Sequence, residues 1–199
     1  MALARSRWSS ESGFSLIEVL AATVILSVAL LSLAQLFAVS TRGNHSSRSQ
    51  TAAALLAQQK MEQLRGLTWG FDIIGLPVSD FTTDLSNVAQ INGCPAPAGG
   101  GAGTGLSPSP WGTLSQNVSG WVDYVDQNGC TLGGGAVAPT GTIYTRRWSV
   151  EPLPTNPNNT LILQVLVTRR TARGDADAAN VARMNEEARL MSVKTRKTK

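Results

Sequence analysis

A long uncharged stretch lies near the start of the chain. From Val19 to Thr41, 23 consecutive residues carry no charged side chain, and Leu, Ile, Val and Ala dominate the run. At ~1.5 Å rise per residue, a helix of this length spans roughly 35 Å, enough to cross a bilayer. Arg5 and Arg7 precede the run and mark its cytoplasmic side. The pattern therefore predicts one transmembrane helix, with the rest of the chain outside the cytoplasm.

Helical spacing of apolar residues continues beyond this run. Five of them fall within about a 100° arc: Ala53, Ala54, Ala57, Met61 and Leu64. Leu55 projects to the other side, and Gly66 after Arg65 is a plausible C-cap. Gly43-Asn44 is expected to be a soft point. The pattern predicts a single helix from Phe14 to Arg65, roughly 78 Å long, whose second half packs its apolar stripe under a sheet.

The remaining residues alternate between loop and strand signals. Residues 67–120 are rich in Pro and Gly, which predicts loops. Strands are predicted at 121–125, 142–151, 160–168 and 189–195, with 160–168 as the central strand and 189–195 as an edge strand. A short helix is expected around residues 178–185. The fold class is therefore α+β, with three or four antiparallel strands packed on the second half of the helix.

Three classes of N-terminal segment compete for the first 41 residues. A cleaved secretory signal would use Ala38-Val39-Ser40, but the apolar run exceeds the usual h-region of about 7–15 residues. A passive anchor is the second reading. A carboxylate such as Glu18 within a membrane helix costs about 2.5–3.5 kcal/mol, so its presence indicates a functional role. Neither a secretory signal nor a passive anchor has a use for it. Glu18 therefore favours the third class, a prepilin.

The residues around Glu18 carry a family resemblance. Gly13-Phe14-Ser15-Leu16-Ile17-Glu18-Val19-Leu20 resembles the class III signal of type IV prepilins and type II secretion pseudopilins. The resemblance implies that prepilin peptidase cuts between Gly13 and Phe14 and that Phe14 becomes N-methylated. It also implies that Glu18 pairs with the N-terminal amine of a neighbouring subunit during assembly. Such pairing would reduce the penalty of both charges in lipid and set axial register.

The resemblance divides the chain into a leader and a mature protein. It implies five parts: a leader at 1–13, a transmembrane and assembly helix at 14–41, an amphipathic helix at 42–66, a loop-rich region at 67–120, and the β-sheet part of a pilin-like head at 121–199. The implied partners are prepilin peptidase, other pilins or pseudopilins, and the bacterial inner membrane, with the head in the periplasm and then in a pilus or pseudopilus. Residues 54–65 and the strands near 144–150 and 161–167 resemble PilV-type minor pilins.

Charge is distributed in blocks. Residues 67–139 hold five aspartates and no Lys or Arg, whereas residues 140–199 hold eleven Lys/Arg against five acids. Such blocks attract each other within one head or between neighbouring copies, or else form solvated faces. An alternative function follows from the basic C-terminal region. In that reading, a membrane-anchored head binds a surface ligand or DNA through Arg169, Arg170 and Arg173.

Whether the two cysteines, Cys94 and Cys130, form a disulfide depends on the compartment in which the protein resides. In the cytosol they would be two separate thiols, and in an exported protein they would pair. A disulfide here would close a loop of 37 residues and stabilise the fold by roughly 4 kcal/mol in the chain-entropy model.

Catalytic, cofactor and metal chemistry have no support in the sequence. His45 is the only histidine, so no His-based triad or His cluster is possible. Four aspartates lack EF-hand spacing and are expected to be solvated or to cap turns: Asp80, Asp84, Asp123 and Asp126. The glycine run at 99–105 lacks the Gly-Lys-Ser/Thr ending of a phosphate-binding loop. We expect a structural protein without cofactor, metal or enzymatic activity.

Overall fold

A computed structural model describes residues 13–88, 93–97, 103–170 and 187–196. One helix, α1 (Leu16–Gly66), is followed by seven strands. Their bounds are β1 (Trp69–Phe71), β2 (Pro77–Ser79), β3 (Val122–Val125), β4 (Thr131–Gly134), β5 (Tyr144–Pro152), β6 (Thr160–Arg169) and β7 (Glu187–Thr195). The chain divides into two compact units, residues 1–45 and 46–199. This arrangement confirms the predicted α+β, pilin-like layout.

The helix follows the sequence prediction closely. It begins two residues after Phe14 and ends one residue after Arg65. The helix continues through Gly43 and Asn44. The expected soft point therefore does not break the helix. The short helix expected around residues 178–185 lies outside the described residues.

The main sheet has five antiparallel strands in the order β4-β3-β5-β6-β7. β5 and β6 pair along nine positions, from Tyr144 opposite Arg169 to Pro152 opposite Leu161. The prediction of three or four strands was wrong by one, because β4 is half glycine and has no strand signature. β6 is an interior strand, but the middle position belongs to β5. β7 lies at the edge, as predicted.

The helix and the sheet share one core within residues 46–199. Ala53, Ala57, Met61 and Leu64 are buried against Trp148 and other side chains of β5 and β6. Ala54, placed on this stripe by periodicity, is exposed instead. Leu55 is 60% exposed, as expected. Both faces of β5 are covered, because every residue from Tyr144 to Val150 is buried.

A β1–β2 hairpin follows the helix inside the segment predicted to be loop-rich. Trp69 lies opposite Ser79, and the Asp72 carboxylate closes the turn by accepting hydrogen bonds from the backbone N–H groups of Ile74 and Leu76. Gly75 in this turn has φ of 84°, a conformation that favours glycine. Three-residue strands are too short to show a period-two pattern, so these two strands were not predicted from the sequence.

The last strand fastens the helix end and the hairpin to the sheet. The Lys194 ammonium donates hydrogen bonds to the carbonyl oxygens of Arg65 and Leu67, where the helix ends with unpaired carbonyls. Arg196 donates to the carbonyls of Gly70 and Val78, and its guanidinium lies 3.6 Å from the Trp69 ring centroid. These contacts join residues separated by more than a hundred positions in the chain.

A disulfide joins Cys94 to Cys130, with Cα atoms 5.5 Å apart. Cys130 directly follows a turn in which the Asp126 carboxylate accepts hydrogen bonds from the backbone N–H groups of Asn128 and Cys130. The bond therefore ties the described residues 93–97 to the turn between β3 and β4.

Candidate processing and assembly site

The first half of the helix presents apolar side chains outwards. In the described part of the chain, α1 is the one helix long and apolar enough to cross a membrane, judged by length and composition. Its large side chains from Leu16 to Val39 are all exposed. Such a continuous apolar surface is unfavourable in water and suits lipid or neighbouring apolar helices.

Gly13 and Phe14 directly precede the helix in an accessible stretch. Apart from Gly13 and its chain neighbours, no atom of the described residues lies within 4 Å of the position that a Cβ on Gly13 would occupy, and Phe14 is 88% exposed. Neither residue belongs to the helix, which begins at Leu16. Among the described residues, the peptide bond between them is therefore open to a protease.

Glu18 lies in the first turn of the helix and caps it. The Ser15 carbonyl accepts hydrogen bonds from the backbone N–H groups of Glu18 and Val19, at 3.0 and 3.2 Å. In return, Glu18 Oε2 accepts the backbone N–H of Ser15 at 3.3 Å. This is one half of a capping box, in which a Glu three residues into the helix satisfies an otherwise unpaired N–H. The carboxylate also lies at the positive end of the helix dipole.

A second arrangement of charges lies at the centre of the head. Asp123 on β3 is fully buried and forms salt bridges with two cations, Lys60 Nζ and Arg146, both at 2.7 Å. Arg146 also donates hydrogen bonds to Gln59 and Thr131, and Lys60 donates to the Leu85 carbonyl at 2.6 Å. We call Lys60, Asp123 and Arg146 the buried charge cluster. It connects the helix to two neighbouring strands.

The buried charge cluster holds one anion between two cations. Burial alone would raise the pKa of Asp123, but Arg146 and then Lys60 outweigh burial and lower it. Burial lowers the pKa of Lys60 to about 8, opposed by Asp123 and reinforced by Arg146. Lys60 Nζ also lies 4.6 Å from the Trp148 ring centroid. Each charge is paired, so the cluster fixes how the helix is aligned on the sheet.

The lowered pKa of Lys60 predicts a rise in stability at alkaline pH. Lys60 binds its proton more weakly in the folded protein, at about pH 8, than in the unfolded chain, near 10.5. The unfolded chain therefore holds more protons between these values, and the free energy of unfolding increases with pH there. Relative to a Lys60→Met variant, we expect the free energy of unfolding of the wild type to rise by roughly 1–2 kcal/mol between pH 8 and pH 9.5, measured by urea unfolding in detergent micelles. A constant difference between the two proteins would contradict the shift.

The other predicted site residues have separate roles. Asp80, Asp84 and Asp126 cap turns, as expected, and hydrogen bonds from Thr83 outweigh burial to lower the pKa of Asp80. Asp123 departs from this expectation, because it is neither solvated nor a cap. Within the described ranges, no group of three or more His, Cys, Asp or Glu side chains could hold a metal ion. Arg173, part of the predicted basic region, lies outside the described residues.

Comparison with known families identifies the N-terminal segment alone. No curated protein matches the chain, and no solved structure matches it. Residues 8–34 match the family model described as the prokaryotic N-terminal methylation motif, which includes Gly13, Phe14 and Glu18. This match supports the interpretation of the N-terminal segment as the signal of a type IV pilin-like precursor.

Proposed function

We propose that the protein is a minor pilin or pseudopilin, a structural subunit of a type IV pilus or a type II secretion-like pseudopilus. Prepilin peptidase cuts between Gly13 and Phe14, and Phe14 is then N-methylated. The mature helix anchors the subunit in the inner membrane, with the head in the periplasm, and later packs among other subunits. The methylation motif on a helix with an exposed apolar surface is the observation that carries this proposal.

Glu18 supplies the assembly contact in this proposal. Its carboxylate is exposed and, among the described residues, accepts a single 3.3 Å hydrogen bond from the Ser15 backbone N–H. The ammonium group of a neighbouring subunit's Phe14 is a stronger partner in lipid, because an ion pair there reduces the cost of both charges. Exchange of the weak cap for an intersubunit ion pair fixes each subunit at one axial position.

Part of the basic C-terminal region holds the head together, which bears on the alternative role in DNA binding. Two cations of the basic C-terminal region, Lys194 and Arg196, are used to hold the helix end and the β1–β2 hairpin. Arg189 donates a hydrogen bond to Gln164 across β6 and β7. Phosphate binding requires several accessible cations, and these contacts occupy cations other than those that the alternative names. Of the latter, Arg169 and Arg170 are exposed. The Cys94–Cys130 bond suits the oxidising periplasm.

The proposal predicts a peptidase-dependent N-terminus. The protein extracted from membranes should begin at N-methyl-Phe14 when prepilin peptidase is present, and at Met1 when an inactive peptidase replaces it. Intact mass and N-terminal peptide analysis measure both states. A Gly13→Val variant serves as the matched control, because its bulky β-branched side chain should block cleavage without touching any other residue.

Two outcomes would overturn the assignment. An uncut chain in the presence of active peptidase would indicate a passive anchor. A start at Thr41, after Ala38-Val39-Ser40, would indicate a secreted protein. In either case Glu18 would need another explanation.

A further inference from the structure

The outer edge of β7 is a regular row of backbone groups that no described strand covers. β7 pairs with β6 along nine positions without a bulge, and β6 is its one neighbour among the described strands. We propose that this edge receives an extended acidic segment of a partner protein, which joins the main sheet as a sixth strand. The inference goes beyond the subunit role, because it concerns a partner of the head rather than assembly through the helix.

The register of β6 and β7 determines which backbone groups face outwards. Just beyond the paired positions, the Arg196 N–H donates a hydrogen bond to the Asn159 carbonyl at 2.8 Å. Bonded positions alternate along an antiparallel pair, so the even-numbered residues of β7 bond to β6. The N–H and C=O groups of its odd-numbered residues therefore point away from β6. Donors and acceptors that alternate at strand spacing along a line are matched by another extended chain.

The two edges of the main sheet differ in protection. At the other edge, β4 is four residues long and ends in two glycines, and its pairing with β3 is irregular between Tyr124 and Val125. Short strands and bulges are common means of preventing an edge from pairing with a further chain. β7 has nine residues, no proline or glycine, and no bulge. The head therefore blocks one edge and leaves the other competent for pairing.

Side chains at the β7 edge provide an apolar contact for an added strand. Met191 is 68% exposed and Val193 is 60% exposed, and alternation places both on the same face of the sheet. Val193 lies opposite the half-buried Ile162 of β6, which extends the apolar surface. A groove of about 870 Å³, with Val193 and Thr195 in its lining, adjoins the C-terminal end of the strand. An added strand with apolar residues at alternate positions would pack on this surface.

Charge around the edge selects an acidic segment. Arg189 and Arg196 lie on either side of the apolar pair along the chain. Arg189 donates to the Gln164 amide oxygen, and Arg196 donates to carbonyl oxygens and a hydroxyl. Within the described ranges, neither guanidinium contacts a carboxylate. A strand with acidic residues would balance these cations, whereas β7 of a second copy would bring the same cations to the edge.

The test measures which backbone N–H groups become protected. The processed full-length protein in detergent micelles is saturated with a capped octapeptide of alternating valine and glutamate, and amide hydrogen exchange is followed by NMR. We expect the N–H groups of Met191 and Val193 to exchange at least tenfold more slowly with the peptide. Those of Leu190 and Ser192, already bonded to β6, should change little. A contact through side chains alone would not produce this alternation.

Val193→Pro removes one outward donor. Its N–H faces the open edge, so proline should cost no bond to β6 and should leave the unfolding midpoint near the wild-type value. The dissociation constant of the peptide should rise at least tenfold. Ser192→Pro is the matched control for the register, because it removes a bond to β6 and should lower the midpoint.

Peptide variants test the same contact without changing the protein. An octapeptide with proline at its two central positions, and one with lysine in place of glutamate, should each bind at least tenfold more weakly. Absence of protection at Met191 and Val193, or equal binding of the proline peptide, would overturn strand addition. Equal binding of the lysine peptide would overturn the acidic class of partner. Protection that increases with protein concentration in the absence of peptide would show that a second copy occupies the edge, contrary to the proposal.

Discussion

Asp123→Asn is expected to destabilise the head by about 3–5 kcal/mol, because it leaves two cations in the core without an anion. The Asp123 carboxylate is fully buried and contacts Lys60 and Arg146 at 2.7 Å each. An amide of the same shape keeps the packing but donates at one position where it should accept. Urea unfolding of the full chain in micelles, followed by tryptophan fluorescence, should show a lower midpoint with an unchanged slope. Trp148 beside Lys60 provides a local reporter.

Asp72→Asn is the matched control for this experiment. Asp72 also accepts two backbone hydrogen bonds, but in an exposed turn where Asn can replace it. We expect its unfolding midpoint to stay close to the wild-type value. A triple variant with Lys60→Met, Asp123→Leu and Arg146→Met should recover much of the loss, since apolar residues of similar size often replace a buried charge cluster at little cost. Equal midpoints for Asp123→Asn and Asp72→Asn would show that the cluster contributes nothing to stability.

Glu18→Gln is expected to abolish incorporation into filaments while leaving cleavage and head stability intact. The glutamine side chain keeps the capping contact with the Ser15 N–H, because its amide oxygen can still accept that hydrogen bond. It cannot neutralise the ammonium of a neighbouring Phe14, which would then remain unpaired in lipid. The measurement compares the amount of subunit in sheared filaments or pseudopili with the amount in the membrane fraction. We expect the filament fraction to fall at least tenfold.

Glu62→Gln provides a second carboxylate on the same helix as a control. Glu62 is exposed and pairs with Arg65 at 3.1 Å, so its loss should change neither cleavage nor assembly. Glu18→Asp should give an intermediate filament fraction, because the shorter side chain keeps the charge but not the reach. Wild-type filament levels in Glu18→Gln would show that assembly does not require this carboxylate. A failure of cleavage in the same variant would place Glu18 in peptidase recognition instead.

Local patterns in the sequence were enough to predict the helix and to recognise the N-terminal motif. A 23-residue apolar run, a helical stripe and the Gly13-Phe14 pair next to Glu18 all lie within the first 66 residues, and each is read from neighbours a few positions apart. Nothing in the residues around Arg146 indicates that its side chain is buried. The reason for a buried arginine was not visible, because its anion lies 23 residues away and its neighbouring cation, Lys60, lies on the helix.

The elements that the sequence did not predict share weak local signals. β4 reads Thr-Leu-Gly-Gly and takes its conformation from pairing with β3 rather than from its own residues. Lys60 falls on the buried stripe of the helix, where a charged residue is normally assigned to the solvent side. In each case, partners distant in sequence determine the environment.

The contacts of the last strand set the order in which the head can fold. Lys194 and Arg196 reach residues 127 and 126 positions earlier in the chain, so their carbonyl partners, Leu67 and Gly70, remain uncapped until β7 is available. A ribosome delivers the chain from its N-terminus, so the chain must emerge as far as Arg196 before the helix end and the hairpin are fastened. Such long-range closure is slow compared with helix formation. During this delay β6 has an open edge that any extended chain could pair with, so nascent subunits should depend on chaperones until β7 arrives.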